Sequence, residues 1–179
     1  MPSTYPNPMH IALHAAAFNL KGFKTWRGME GGGYQFTLLH EAVPVAEVTE
    51  DGHGGPLRVE WHTVTARVFP PRRPTPAQRN KAAAVAAQTR KARAALATIV
   101  AATPDIDVGH GITVKADEDI VLGSLAEVAD IRKLTKKKTV FADGGALYTM
   151  NTLYTAAVAA HLATKRPTAV VLNTVPAYV

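Results

Sequence analysis

Between Phe23 and His62 hydrophobic and polar positions alternate in four short runs, "FKTWR", "YQFTLL", "VAEVTE" and "LRVEW", separated by turn-forming residues. A period of two puts successive side chains on opposite faces of a strand, and the aromatic and branched residues suit a half-buried sheet. Short connections between the runs predict an antiparallel meander. Register follows from asking which pairing gathers the apolar residues on one side. Phe36 opposite Val48 and Leu38 opposite Ala46, across the turn "HEAVP", joins Tyr34, Phe36, Leu38, Ala46 and Val48 on the core face. Val48 opposite Val59 and Ala46 opposite Trp61 adds Leu57, Val59 and Trp61. Glu47, Thr49, Arg58, Glu60 and His62 then point outward, where Arg58 can neutralise Glu47 or Glu60 across strands. His62 is expected at the surface.

Upstream, prolines at positions 2, 6 and 8 make residues 1–9 an irregular lead-in. "HIALHAAAF" alternates Ile11, Leu13, Ala15 and Ala17 with His10, Ala12, His14 and Ala16, which favours a strand, although its alanines leave a helix open.

Downstream the period changes to that of a helix. In "TPAQRNKAAAVAAQTRKARAALATIVAATP", Thr75 is placed as N-cap with Pro76 at the first helical position, and the helix ends before Pro104. Its apolar stripe is Val85, Ala92, Leu96, Ile99 and Val100. A short strand over Ile112 to Val114 follows, then a helix after Asp117 burying Val121, Leu122, Leu125 and Val128. Acids at its start and Lys136, Lys137 and Lys138 at its far end complement the helix dipole. Asp130 is read as capping a second short turn that carries Ile131 and Leu134. "KTVFADGGALYTM" reads as a hairpin about Asp143, Gly144 and Gly145, with Val140, Phe141, Leu147 and Tyr148 packing inward or across strands. A helix around Leu153 to Ala163 carries His161 near its end, and "TAVVLNTVP" reads as a buried strand. Neither a repeat nor a low-complexity linker interrupts the chain. The expected architecture is one α+β domain over residues 10–179: an N-terminal antiparallel β-meander packed with a long Ala-rich basic helix, then a C-terminal α/β segment.

At 179 residues and 47% hydrophobic, the chain has material for one sizeable core. It carries neither a run of about 20 apolar residues nor a basic-then-apolar start, so a soluble cytoplasmic protein without membrane contact is expected. The lack of cysteine excludes disulfides, thiolate nucleophiles and cysteine-held metal clusters.

Two glycine-rich loops hold the candidate chemistry. The register above brings "MEGGG" and "DGHGGP" to the same end of the sheet, uniting Glu30, Asp51 and His53 with Gly31, Gly32, Gly33, Gly52, Gly54 and Gly55. Glycines admit positive φ and let backbone N–H groups approach an anion, and the acids and histidine suit a divalent metal or acid–base work. Asp-Gly and Gly-Gly are equally ordinary hairpin connectors. HExxH, a Walker lysine and a strand–Gly-loop–helix order are all missing, and no nucleophile with its base can be named, which leaves catalytic residues and cofactor unassigned. His110, between Gly109 and Gly111, is a loop histidine without an assignable partner.

Charge supplies a second candidate. The net charge is +6, and from Trp61 to Pro104 there is no acid, while Arg67, Arg72, Arg73, Arg79, Lys81, Arg90, Lys91 and Arg93 all fall there. Such a field recruits nucleic acid or an acidic protein surface, or is simply a solvated face. At about 100° per residue Arg79, Arg90 and Arg93 lie within about 60° on one helix flank. With Arg72 and Arg73 they could grip phosphates without reading bases.

"VAEVTEDGHGG", "LAEVADIRKLTKKKTVF" and "PTAVVLNTVP" together resemble an uncharacterised family of small phage and prophage-associated bacterial proteins. The matching residues are Asp51, Gly52, His53, Gly54 and Gly55 of the central motif, and Leu172, Asn173 and Pro176 of the closing one. Glu50 stands where the pattern has Asn, and the match covers about half the chain in scattered blocks. The family has no established activity, so the resemblance implies a phage context and not a reaction. Three functions stay open: an accessory protein binding a host or phage macromolecule during infection, a nucleic-acid-backbone binder using Arg79, Arg90 and Arg93, and a small enzyme or ligand sensor built on Glu30, Asp51 and His53.

Overall fold

The structure, a computed structural model, describes residues 5–27, 31–62, 75–107 and 112–179. In chain order the elements are α1 (Pro8–Ala15), β1 (Phe18–Arg27), β2 (Gly32–His40), β3 (Val43–Glu50), β4 (Arg58–Trp61), α2 (Pro76–Ala102), β5 (Ile106–Asp107), β6 (Thr113–Val114), α3 (Glu118–Thr135), β7 (Thr139–Asp143), β8 (Ala146–Met150), α4 (Ala156–Lys165) and β9 (Val170–Val171). All strand pairs are antiparallel, giving an α+β fold that contains the expected meander. The chain divides into two compact units, Ala15–Ala102 and a second built from Met1–His14 with Thr103–Val179.

The 15–102 unit is a four-stranded sheet in the order β1-β2-β3-β4 with α2 against β2 and β3. Phe36 pairs with Val48, Leu38 with Ala46, Val48 with Val59 and Ala46 with Trp61, the register the apolar pattern demands. Phe36, Leu38, Ala46 and Val48 are buried. β1 begins at Phe18, ahead of the expected "FKTWR" run, because Phe18 and Leu20 pair with His40 and Leu38 before a register shift between Lys21 and Lys24. Arg58 pairs with Glu60 at 3.0 Å. His62 is half-buried rather than fully at the surface, its ring 3.3 Å from the Pro44 carbonyl and 3.9 Å from Glu47.

Thr75 and Gln78 close a reciprocal cap at the start of α2. The Thr75 Oγ1 accepts from Gln78 N at 3.2 Å, and Gln78 Oε1 accepts from Thr75 N at 2.7 Å. The buried face is Ala86, Thr89, Ala92, Leu96 and Ile99, spaced by three and four, whereas Val85 and Val100 are only half-covered. Thr89, unexpected on an apolar stripe, is satisfied by donating to the His62 carbonyl at 2.8 Å.

In the second unit the sequence "HIALHAAAF" forms helix α1, not a strand, and the helix starts at Pro8 inside the expected irregular lead-in. Alanine marks neither face of a period-two pattern and is the best helix former. His10 and Leu13, three apart, are buried, while Ile11 is 45% exposed. α3 is capped by Asp117, whose carboxylate accepts from Ile120 N at 2.9 Å. It runs unbroken to Thr135, so Asp130 starts no second turn and instead meets Lys133 within the helix. The hairpin β7–β8 turns on Gly144 and Gly145 at φ +57° and +83°, as a type I′ turn requires.

β7 is the central strand of a sheet in the order β8-β7-β9. "TAVVLNTVP" forms only the two-residue β9, with Val170 40% exposed, before two 3₁₀ turns, Leu172–Thr174 and Pro176–Tyr178. Asn173 explains that break. It accepts from Val140 N at 2.7 Å and donates to the Thr135 and Lys138 carbonyls, both at 3.0 Å. Its amide thereby satisfies carbonyls that the end of α3 leaves without helical partners. Asn173 serves the packing of α3 on β7. α4 is capped by Thr155, buries Leu162 and leaves His161 exposed. Among the described residues no helix is long and apolar enough to cross a membrane.

Candidate functional site

The pairing of Arg27 with Gly32 and of Tyr34 with Glu50 brings the β1–β2 and β3–β4 connections to one end of the sheet, as the register implies. The glycines there divide into different jobs. Gly32 and Gly33 are strand residues of β2, a correction to their reading as loop: each is paired across to β1. Gly31 precedes the strand and is exposed. A methyl group added at Gly33 would sit 2.3 Å and 2.5 Å from the Trp26 indole atoms Nε1 and Cε2, and 2.9 Å from the Glu50 carbonyl. Gly33 is thus required by the close approach of an indole and a neighbouring strand. Gly52 and Gly54 have φ of +81° and +68°, which is ordinary turn chemistry, and Gly55 is exposed with open space about it.

Two backbone donors of this loop are taken by its own side chains. Gly52 N donates to Glu50 Oε1 at 2.9 Å, and His53 N donates to Asp51 Oδ1 at 3.3 Å. The two carboxylates keep their charge there, which opposes an anion at these two donors. Glu50 contributes one of these two bonds. His53 is exposed. Glu30 lies outside the described residues. Among the described residues no group of three His, Asp or Glu is placed to hold a metal ion.

Of the basic candidates, Arg72 and Arg73 lie outside the described residues, as do Arg67 and His110. Arg79, Arg90 and Arg93 are all exposed on α2, but they are not equivalent. Arg93 places its guanidinium 5.7 Å from the centre of the Trp61 ring, so it covers β4 as well as facing water. Lys91 is held by Glu41, whose carboxyl is lowered below its usual range by hydrogen bonds from Lys91 and then Gln88. Arg79, Lys81 and Arg90 form no ion pair among the described residues.

Two features escaped the sequence reading. The first is β1, an edge strand whose Lys21, Lys24 and Arg27 are all exposed beside Trp26. Their alternation with Phe23 and Trp26 was visible, but their place at a sheet edge required the full pairing. The second is a buried polar cluster in the other unit. His10 Nδ1 is 2.8 Å from the Tyr178 hydroxyl, which accepts from Asn7 N at 3.1 Å, and His10 Nε2 is 3.6 Å from Glu127. Burial lowers the His10 pKa to about 4 and raises that of Tyr178 to about 12. Tyr178 is fully buried, which closes the cluster to a substrate. No local motif joins residues so far apart in sequence.

Comparison of the chain with protein families, curated proteins and solved structures finds no match.

Proposed function

We propose that the protein is a small accessory protein that binds a nucleic acid by its backbone, acting in the phage context that the family resemblance implies. One observation carries the reading: the whole net charge of +6 belongs to residues 15–102. That unit has twelve Lys and Arg against six Asp and Glu, while the remainder has eight of each. Within it the described cations concentrate in two elements without any acid, β1 and the 27-residue α2. Extended strips of one sign attract a polyanion, and phosphate contacts release counterions whatever the base sequence. At the end of the sheet, the bonds from Gly52 N and His53 N to the loop's own carboxylates support a connector role for that loop.

The test is fluorescence anisotropy with a labelled oligonucleotide across a salt series. With three to five phosphates neutralised, the slope of log affinity against log salt is expected at roughly −3 to −5, and Arg79→Ala with Arg90→Ala should reduce it by roughly two. Absence of binding at about 50 mM salt, or an unchanged slope in the double variant, would remove the α2 reading and turn the search to an acidic protein surface.

A further inference from the structure

We infer that the outer face of β1 is a stacking platform for a base of single-stranded nucleic acid, with Trp26 as the platform and Lys21 and Lys24, which share its face, as its phosphate contacts. This rests on the nucleic-acid reading above and adds to it a preference that charge alone does not supply.

Register places Trp26 opposite Gly33 and Lys24 opposite Gln35, on the face turned away from Phe36 and Leu38. The short distances from a hypothetical Gly33 methyl to Nε1 and Cε2 mean that the indole lies against bare backbone. Trp26 nevertheless remains 39% exposed. Among the described residues of its unit it is the one large hydrophobic side chain so exposed.

Edge strands are commonly protected from unwanted pairing by lysines and bulges, and β1 has both, with Lys21, Lys24 and an irregularity at Gly22, φ +69°. Protection explains those residues. It does not explain an exposed indole on the same edge, which favours association. An aromatic platform with cations on its own face does explain it: bases stack on the ring face while the backbone runs past Lys24 and Lys21. In a duplex the base faces are hidden by stacking on one another, so the platform requires a single strand.

Anisotropy titrations with oligo-dT, oligo-rU and a hairpin duplex of matched length test this. Trp26→Leu keeps an apolar cover over Gly33 but has no π-face, and should weaken single-strand binding roughly tenfold at unchanged salt slope, with duplex binding preserved. Trp26→Phe should recover most of the loss, and Lys24→Ala should reduce the salt slope by about one. Equal affinity for dT and rU would mean that the ring face and phosphate are what is held, whereas a preference for one would add a contact to the sugar or to the thymine methyl. If Trp26→Leu, folded by circular dichroism, changes neither affinity or weakens single strand and duplex alike, the platform is wrong while backbone binding by charge stands. If the unsubstituted protein binds none of the three, both readings fall.

Discussion

The Tyr178 hydroxyl and His10 Nδ1, 168 positions apart in sequence, meet at 2.8 Å in a buried contact with their rings edge to face. Because Tyr178 Oη already accepts from Asn7 N, its proton is free to go to Nδ1. In the neutral tautomer with hydrogen on Nε2, Nδ1 accepts that proton and Nε2–H faces Glu127, which also accepts from the Tyr5 hydroxyl at 3.3 Å. Nε2 lacks a partner within normal hydrogen-bond distance. Desolvation dominates this balance, and the Ser124 backbone offsets only part of it, so His10 stays neutral in the fold.

A pH dependence follows with a definite sign. The folded pKa of His10 is about 4, below the 6.5 of the free side chain, so between these values the unfolded chain binds the extra proton. Stability from this residue is complete above pH 6.5 and is lost as pH falls toward 4, on the order of 3 kcal/mol in all. Urea unfolding from pH 7 to 5, above the range of most carboxylates, should show the decline, and His10→Leu should flatten it. Tyr178→Phe should cost about 1–3 kcal/mol at pH 7 by stranding Nδ1 and Asn7 N. An identical slope in His10→Leu would show that other groups set the acid sensitivity.

The glycines at the loop end make separable predictions. Gly33→Ala should destabilise by about 1–3 kcal/mol, since both the indole and the Glu50 carbonyl stand in the way of the new methyl. Gly52→Ala should cost about 1–2 kcal/mol through its positive φ alone. Gly31→Ala and Gly55→Ala, each with nothing within 4 Å, should leave the midpoint within about 0.5 kcal/mol of the parent. Chemical unfolding of the four variants checks the order, and a large loss at Gly31 or Gly55 would contradict the division between strand, turn and open positions.

What the sequence could and could not reveal divides along the same physical line. The meander register was legible because a one-residue slip would turn Phe36, Leu38, Ala46 and Val48 out to solvent, so the apolar pattern tolerates one pairing. The α2 cap was legible because Thr75 and Gln78 are three apart. Helix α1 was misread because alanine gives no facial signal. Asn173 was seen without its role, since its three partners lie on α3 and β7 and become neighbours only after folding. The loop chemistry was likewise only half legible: acids beside glycines signal either a ligand site or a self-capped turn, and the bonds from Gly52 N to Glu50 and from His53 N to Asp51 form only once the loop is folded.

The turn between β2 and β3 gives the last prediction. Glu41 and Ala42 both have positive φ, +51° and +63°, the pair of left-handed residues that a type I′ hairpin needs and that glycine or asparagine usually supplies. An L-residue in that region costs about 1–2 kcal/mol. Glu41 has compensation: its carboxylate accepts from Gln88 and Lys91 of α2, and Gln88 also donates to the His40 carbonyl at 3.2 Å, so the helix holds the turn in place. Ala42 has a methyl group and no such bond among the described residues. Ala42→Gly removes the steric conflict, and the added flexibility of the unfolded chain offsets part of the benefit, leaving an expected increase in stability of up to about 1 kcal/mol. Glu41→Gly relieves the same strain but loses the ties to α2, so it should be neutral or destabilising. Unfolding midpoints of the two variants read against the parent test whether α2 or the turn's own backbone sets this hairpin, and a stabilised Glu41→Gly would show that the contacts with Gln88 and Lys91 contribute little.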